Sequence, residues 1–460
     1  MVWLDGTAAT EHGFAEEWAP YRPDAQRPWD LRLAAHLYRR AGFGADWPTL
    51  QRALREGPQR TVARLLRPAA DVAAFHRSYD QLEADSIDAD SSSTQTLRQW
   101  WLRRMLLSPH PLLEKMTLFW HSHFGVSGGR VGSERLMQRH LGLLRRHALG
   151  SFRELLEAVC RDPAVLLNAG VKHNPRTRPN AHFARVVLDD YTLGPGVCSP
   201  TDVREAARAF TGAMVLRGEY RERAAEHDPG PKRFLGQEGP LAASDVLRIA
   251  LAQPAAAQYL VRKLYAWLIS ETVEPAPALI EPLVRQLAQD YDVGRLLETM
   301  LRSRRFFSPA AYRQRIKGPV EFAIGIARGL GELVPTGPLG RHLDTLGQSL
   351  CQPPTVHGWA GGTRWLNRVM LIERSNAALT LLAPAGVYEG KLRPGDVARR
   401  QGFAAPASAV RFLVDLFVQG DLPAEVLARL SDAARRGGDA DERLRRLTHA
   451  IVTLPEFHLA

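Results

Sequence analysis

Apolar residues recur at helical spacing along most of this 460-residue chain, and turn-forming residues interrupt the pattern repeatedly. A period near 3.6 places the apolar residues on one face of each helix, and that face has to be buried. The pattern is clearest after Pro111. Proline suits the first position of a helix because its missing N–H has no partner there anyway. Leu112, Met116, Phe119 and His123 then share a face, with Leu113 and Trp120 beside it, until Gly125, Gly128 and Gly129 end the run.

Other segments follow the same logic. Leu50 to Leu66 reads as a helix after a Gly42-Phe-Gly44 turn, and Ser133 to Ala148 as another. Ser151-Phe-Arg-Glu154 has the spacing of a capping box, in which Ser and Glu satisfy free N–H groups reciprocally. Asn180 caps a helix that reaches Leu193 and stops at Gly194, and Ser199-Pro-Thr-Asp202 opens the next. Asp85 to Gln95 is Ser/Asp-rich and predicts an exposed loop. The stretch 215–239 breaks the helical pattern and predicts a small hairpin or irregular insert. Helices then run from Ala243 to Leu333, and again from Leu366 after the Pro/Gly/Trp-rich loop Pro353–Trp365. The expected fold is mainly α: a large multi-helix globular domain over 29–460, an N-terminal extension over 1–28, and a seam near 335.

Composition narrows the function classes. The net charge of +11 invites a nucleic-acid reading, but basic and acidic residues are interleaved and no basic–aromatic stripe appears. Only six of the sixty basic residues are Lys, which fits coding bias better than a binding surface. Cys160, Cys198 and Cys351 are far apart and odd in number, and read as free thiols. No stretch is apolar enough to span a membrane, and the first residues carry no secretion signal. The expected compartment is the cytoplasm, or a secreted or periplasmic one if a signal has been removed.

No P-loop, dinucleotide fingerprint, HExxH or GxSxG motif occurs, so chemistry has to come from looser constellations. His121 and His123 lie two apart, and on a continuous helix their side chains diverge by about 200°. A shared metal ion is therefore not expected, and no cofactor is. In the segment from Asn180, His182, Arg185 and Asp189 fall on one helical face. Arg185 and Asp189 form either an ordinary salt bridge or part of an anion- or sugar-binding face at a helix N-terminus. Asp202, Glu205 and Arg208 make a charged face on the next helix, and His227-Asp228 a polar turn beyond it. These eleven residues are the candidates for one polar cleft. Trp359 and Trp365 in their Gly-rich loop suit either a sugar-stacking platform or a core plug with a tight turn.

Taken in order, several of these segments resemble the bacterial family known as domain of unknown function 1800. The matching pieces include His36–Gly44, Phe119-Trp-His-Ser-His-Phe124, Arg145–Gly150, Asp202–Gly212, His227-Asp228, Pro353-Pro354 and Gly358-Trp359. The resemblance implies a helical fold and no settled activity. It also implies an association with sulfatase-like proteins, which are often encoded beside members. The chain departs from the family's central helix, which usually carries two Glu residues and an Asn. Ala181 and Val186 stand in place of the Glu residues, and His182 in place of the Asn, while Asp189 keeps a later acid. The expectation is a binding or accessory protein with a degenerate polar site, its partner a sulfatase-like protein or an anionic glycan. The alternative is a hydrolase-type enzyme acting on a glycan or other anionic substrate through a His/Arg/Asp cleft.

Overall fold

The computed structural model describes residues 16–67, 70–87, 94–435 and 437–460. Residues 1–15 of the expected extension and 88–93 of the expected loop lie outside them. The protein is mainly α, with 62% of it helical. Its described strands form two antiparallel hairpins, Ala213–Leu216 with Glu219–Glu222 and Lys232–Phe234 with Gln237–Gly239. The break in helical periodicity thus corresponds to a pair of hairpins beginning two residues before the expected insert.

The helix Pro111–Phe124 is the axis of the fold. Its only residues not fully buried are Leu113 and Ser122, so its polar side chains Glu114, Lys115, His121 and His123 are inside as well. Burying charge is costly unless it is paired. Glu114 accordingly accepts hydrogen bonds from Arg104 (3.0 Å), Arg145 (2.9 Å) and Trp101 (3.2 Å). Lys115 donates to the carbonyls of Arg39 and Gly42 and pairs with Glu321. Around this axis, a single cluster of buried apolar side chains extends from Trp18 to Phe457. Trp18 is anchored in it by a bond from its indole N–H to the Leu279 carbonyl (2.7 Å).

Side chains cap several of the helix starts. Asp30, Asp46, Ser133, Asp162, Asn180 and Asn367 each accept an N–H from the first turn of the helix they open. Ser151 departs from expectation: it precedes the helix Phe152–Cys160, but its side chain makes no capping bond. The chain is held there by a backbone bridge to Asp292, and the Phe152 N–H is taken by the Tyr291 carbonyl. Two expected helical stretches also differ. The helix capped by Asn180 is α only over Ala181–Arg185 and continues as a π-helix, Val186–Leu193. Between Val293–Arg302 and Pro319–Leu330 the chain is irregular, and this segment carries Arg315 and Lys317.

Candidate functional site

A cavity of about 270 Å³ opens beside the axial helix. Phe119, Ser122 and His123 of that helix form one wall, and Lys263 and Trp267 of the helix Pro254–Leu268 form a second. Arg315, Gly318 and Glu321 form a third, and the loop with His357, Trp359 and Trp365 closes the cleft. Two glycines let that loop lie on the helix end. A Cβ on Gly358 (φ +77°) would stand 2.2 Å from the Ser122 carbonyl oxygen. One on Gly125 (φ +56°) would stand 2.2 Å from the Val356 carbonyl oxygen. Trp359 adds a bond from its backbone N–H to the Ser122 hydroxyl (3.4 Å).

The polar centre of the cleft is a relay through His123. Its Nε2 lies 3.1 Å from the Tyr191 carbonyl oxygen, which can only accept, so the proton is on Nε2 and the lone pair on Nδ1. Lys263 donates to that Nδ1 (3.0 Å) and to the Tyr259 hydroxyl (3.2 Å), which itself donates to the Asp190 carbonyl (3.1 Å). An ammonium has three donors, so one remains for the cavity. Burial pushes the Lys263 pKa down to about 8, with the Asp190 charge opposing it. Burial, reinforced by the Lys263 charge, keeps His123 well below the ordinary imidazole range. The Asp190 carboxyl is raised by burial against the pull of His357, its partner at 2.9 Å, and of Lys263.

The other carboxylates of the cleft are engaged. Glu321 receives Lys115 and Arg315 on one oxygen and the Gly318 N–H on the other (2.7 Å). Burial works to raise its pKa, but the charges of Arg315 and Lys115 outweigh that and hold it well below the usual carboxylate range. Glu271 accepts the Ile316 N–H. Arg315 lies over the face of Trp267, 4.2 Å from the ring centroid. The cleft therefore combines aromatic surface, two cations and one free ammonium donor.

Of the eleven residues expected to converge, the structure brings only His123 to this cavity. His121 points elsewhere, as two residues apart on an unbroken helix must. It is fully buried among Trp101, His140 and Trp359, at ring-centroid distances of 5.3, 6.2 and 5.5 Å. Among the described residues neither of its ring nitrogens has a hydrogen-bond partner, and burial pushes its pKa down to about 3. Asn180 caps its helix through the Phe183 N–H (2.8 Å), and His182 is exposed. Arg185 and Asp189 are an exposed-edge pair at 3.5 Å, with Arg185 55% exposed rather than turned into a polar interior. The π-helix adds a residue to the turn, and it is the neighbouring Asp190 that reaches His357.

The remaining five form a latch between the helix Pro200–Ala209 and the hairpins. Asp202 completes a capping box with Ser199 and accepts the Leu235 N–H (3.1 Å). Glu205 accepts the Arg233 N–H (3.2 Å), and Arg208 holds Asp228 (2.7 Å) and Glu205 (2.8 Å). His227 donates from Nδ1 to the Thr211 carbonyl (2.9 Å), and the Asp228 N–H donates to the Thr211 hydroxyl (2.8 Å). Each of these five side chains has a structural partner.

Among the described residues no group of three or more His, Cys, Asp or Glu is placed to hold a metal ion, and no helix is long and apolar enough to cross a membrane. A family model described as a protein of unknown function, DUF1800, matches residues 36–459. The chain belongs to the DUF1800 family. Comparison with curated proteins and with solved structures finds no match. In this DUF1800 protein the residues that sequence reasoning missed are Lys263, Arg315, Asp190 and Glu321. A usable signal was the scarcity of Lys. Where nearly every basic residue is Arg, a Lys is the exception, and Lys115, Lys232 and Lys317 are each at most 4% exposed. A compact ammonium fits among converging carbonyls, as at Lys115 and Lys232, where a planar guanidinium does not.

Proposed function

We propose that this DUF1800 protein binds an anionic, sugar-like ligand in the cleft between His123, Lys263 and Trp359. The observation that carries the proposal is the Lys263 ammonium, which lines a cavity walled by aromatic rings and whose two hydrogen bonds among the described residues run to neutral acceptors, leaving a third donor. A carboxylate or sulfate satisfies that donor, and Trp faces suit the apolar face of a sugar ring. A binding or accessory role fits better than catalysis because both oxygens of Glu321 are already taken and one oxygen of Glu271 is held by the Ile316 N–H. The departures at positions 181 and 186 agree: Ala181 is exposed and Val186 is 3% exposed, so these positions present no acid to a ligand. A partner of the sulfatase type belongs to the proposal through family association alone.

The test is calorimetric titration with a sulfated disaccharide and its unsulfated counterpart. The sulfated sugar is expected to bind at least about tenfold more tightly, a difference of about 1.4 kcal/mol. Lys263→Met should remove that preference. The ammonium is the charged form, so affinity should also decline as pH rises through about 8. Equal affinity for both sugars, or a preference that survives Lys263→Met, would sink the proposal. The hydrolase alternative draws on the Asp190–His357 pair, a carboxyl with raised pKa beside an imidazole at the cleft edge. Turnover of the sugar that is abolished by Asp190→Asn with binding retained would replace the binding reading with that one.

A further inference from the structure

Basic side chains are unusually concentrated in the interior behind the cleft. Arg39, Arg40, Lys115, Arg315, Lys317 and Arg374 are each at most 8% exposed. Glu321 is the buried carboxylate among them, and it is saturated by Lys115, Arg315 and the Gly318 N–H. Among the described residues, Arg39, Arg40, Lys317 and Arg374 make no salt bridge. Carbonyl oxygens serve two of them: Arg40 donates to Ile269 (3.0 Å) and Ala311 (2.6 Å), and Arg374 to Lys317 (2.6 Å). Arg39 and Lys317 are worse placed. Arg39 donates from Nη1 to the Gln419 side-chain oxygen and lies 5.8 Å from the Tyr312 ring centroid, while its Nε and Nη2 are buried without a hydrogen-bond partner among the described residues. Lys317 Nζ sits over the Phe457 ring, 3.6 Å from its centroid, and makes no hydrogen bond among the described residues. The nearby Asp421 is engaged by Arg313 (3.2 Å) and the Tyr312 hydroxyl (3.0 Å).

These two cations line the same crevice, together with Phe43, Phe417, Phe457, Gln419 and the Glu321 carboxylate, whose two oxygens are already taken by Lys115, Arg315 and the Gly318 N–H. Its volume is about 30 Å³, room for a body the size of one water molecule. A sulfate or phosphate is too large for it. An uncompensated buried charge costs several kcal/mol, and a guanidinium cannot escape that cost by losing its proton. A small anion between the two would satisfy the free Arg39 donors and the Lys317 ammonium together. The positive edges of the surrounding rings are suited to face it.

We propose that the crevice between Arg39 and Lys317 is a binding site for one small monovalent anion of the size and charge of chloride. It lies on the other side of Glu321 from the sugar-binding cleft, and the proposal is independent of that reading. The competing account is a neutral Lys317: burial, with Arg39 opposing a second positive charge, holds its pKa well below the usual lysine range. The two accounts differ in what chloride does to the protein.

The test follows thermal unfolding of the full chain as chloride replaces gluconate at constant ionic strength. Above the dissociation constant each tenfold rise in chloride should raise Tm by about 1–2 °C, the shift that mass action yields for a chain of this size. Lys317→Met, which keeps the length and apolar body of the side chain, should abolish the dependence. Lys263→Met, which alters only the cleft, should leave it intact and so separates failure of this site from failure of the other. Crystals soaked in bromide add a readout that needs no variant: an anomalous peak is expected within about 3.5 Å of Lys317 Nζ, ordinary hydrogen-bond reach for a large anion. A Tm indifferent to chloride, a dependence that persists in Lys317→Met, or no bromide in the crevice would each overturn the proposal.

Discussion

Gly358 shows how much one residue can decide. Its φ of +77° and the 2.2 Å separation between a built Cβ and the Ser122 carbonyl leave room for hydrogen alone. Gly358→Ala should therefore lift the loop off the axial helix and move Trp359 with it. The expected loss is at least about 2 kcal/mol, from strained backbone and overpacking together. Urea unfolding measures it, and a loss below about 0.5 kcal/mol would mean that the loop is not seated as described. The buried lysines make the same point through charge. Lys115 is fully enclosed, its bonds to two carbonyls and Glu321 only partly offset its desolvation, and its pKa settles at about 8 because burial outweighs the Glu321 attraction.

At the scale of elements, the π-helix Val186–Leu193 is where local sequence logic and structure part. Asn180 and Gly194 mark the ends of the whole helical segment from the sequence, but nothing in the residue pattern announces the wider turn within it. The Thr192 hydroxyl donating to the Val187 carbonyl five residues back (2.7 Å) reflects it. The wider turn leaves Asp189 beside Arg185 and places Asp190 against His357. The next helix behaves more simply. Phe210, 4% exposed, meets Phe183 edge-on at 5.2 Å, joining the segment capped by Asn180 to the helix that the Arg208 latch ties to the hairpins. Phe210→Ala should cost about 3–5 kcal/mol in chemical denaturation, as a large buried ring leaves a cavity. A cost under about 1 kcal/mol would contradict its place in the core.

The whole molecule carries an unusual load of buried histidines, and that sets its response to acid. His36, His121, His123 and His458 are each at most 4% exposed, and burial depresses the pKa of all four, to about 3 for His121 and His458. Unfolding restores the ordinary value near 6.5, so below that pH the unfolded chain binds protons that the folded one refuses. Stability should then fall as pH drops from about 6.5 towards 3, by up to about 1.4 kcal/mol per pH unit for each histidine. Below about 4.5 protonation of Glu321, whose folded pKa is depressed, adds to the loss. Denaturant titrations at pH 7, 6 and 5 test this, with a combined slope of at least about 2 kcal/mol per unit expected between 6 and 5. A flat profile would show that these imidazoles are not buried as neutral groups.

Helical class, the helices that open at Pro111, Ser133, Asn180 and Ser199, and the insert near 215–239 were legible in the chain, because period, caps and breakers act over a few residues. The resemblance carried by Phe119–Phe124, Asp202–Gly212 and Gly358-Trp359 was legible too, and the match over residues 36–459 agrees with it. The cleft was not. His123 and Lys263 stand 140 residues apart in sequence and 3.0 Å apart in space, and Lys115 and Glu321 are separated by 206 residues. No periodicity encodes such pairs, since what joins them is the burial of helices whose apolar faces meet. Arg208, Asp228 and Glu205 looked like functional charges for the same reason that Lys263 did not. A charge in a chain shows its type, but its free or spent valence depends on partners that only packing supplies.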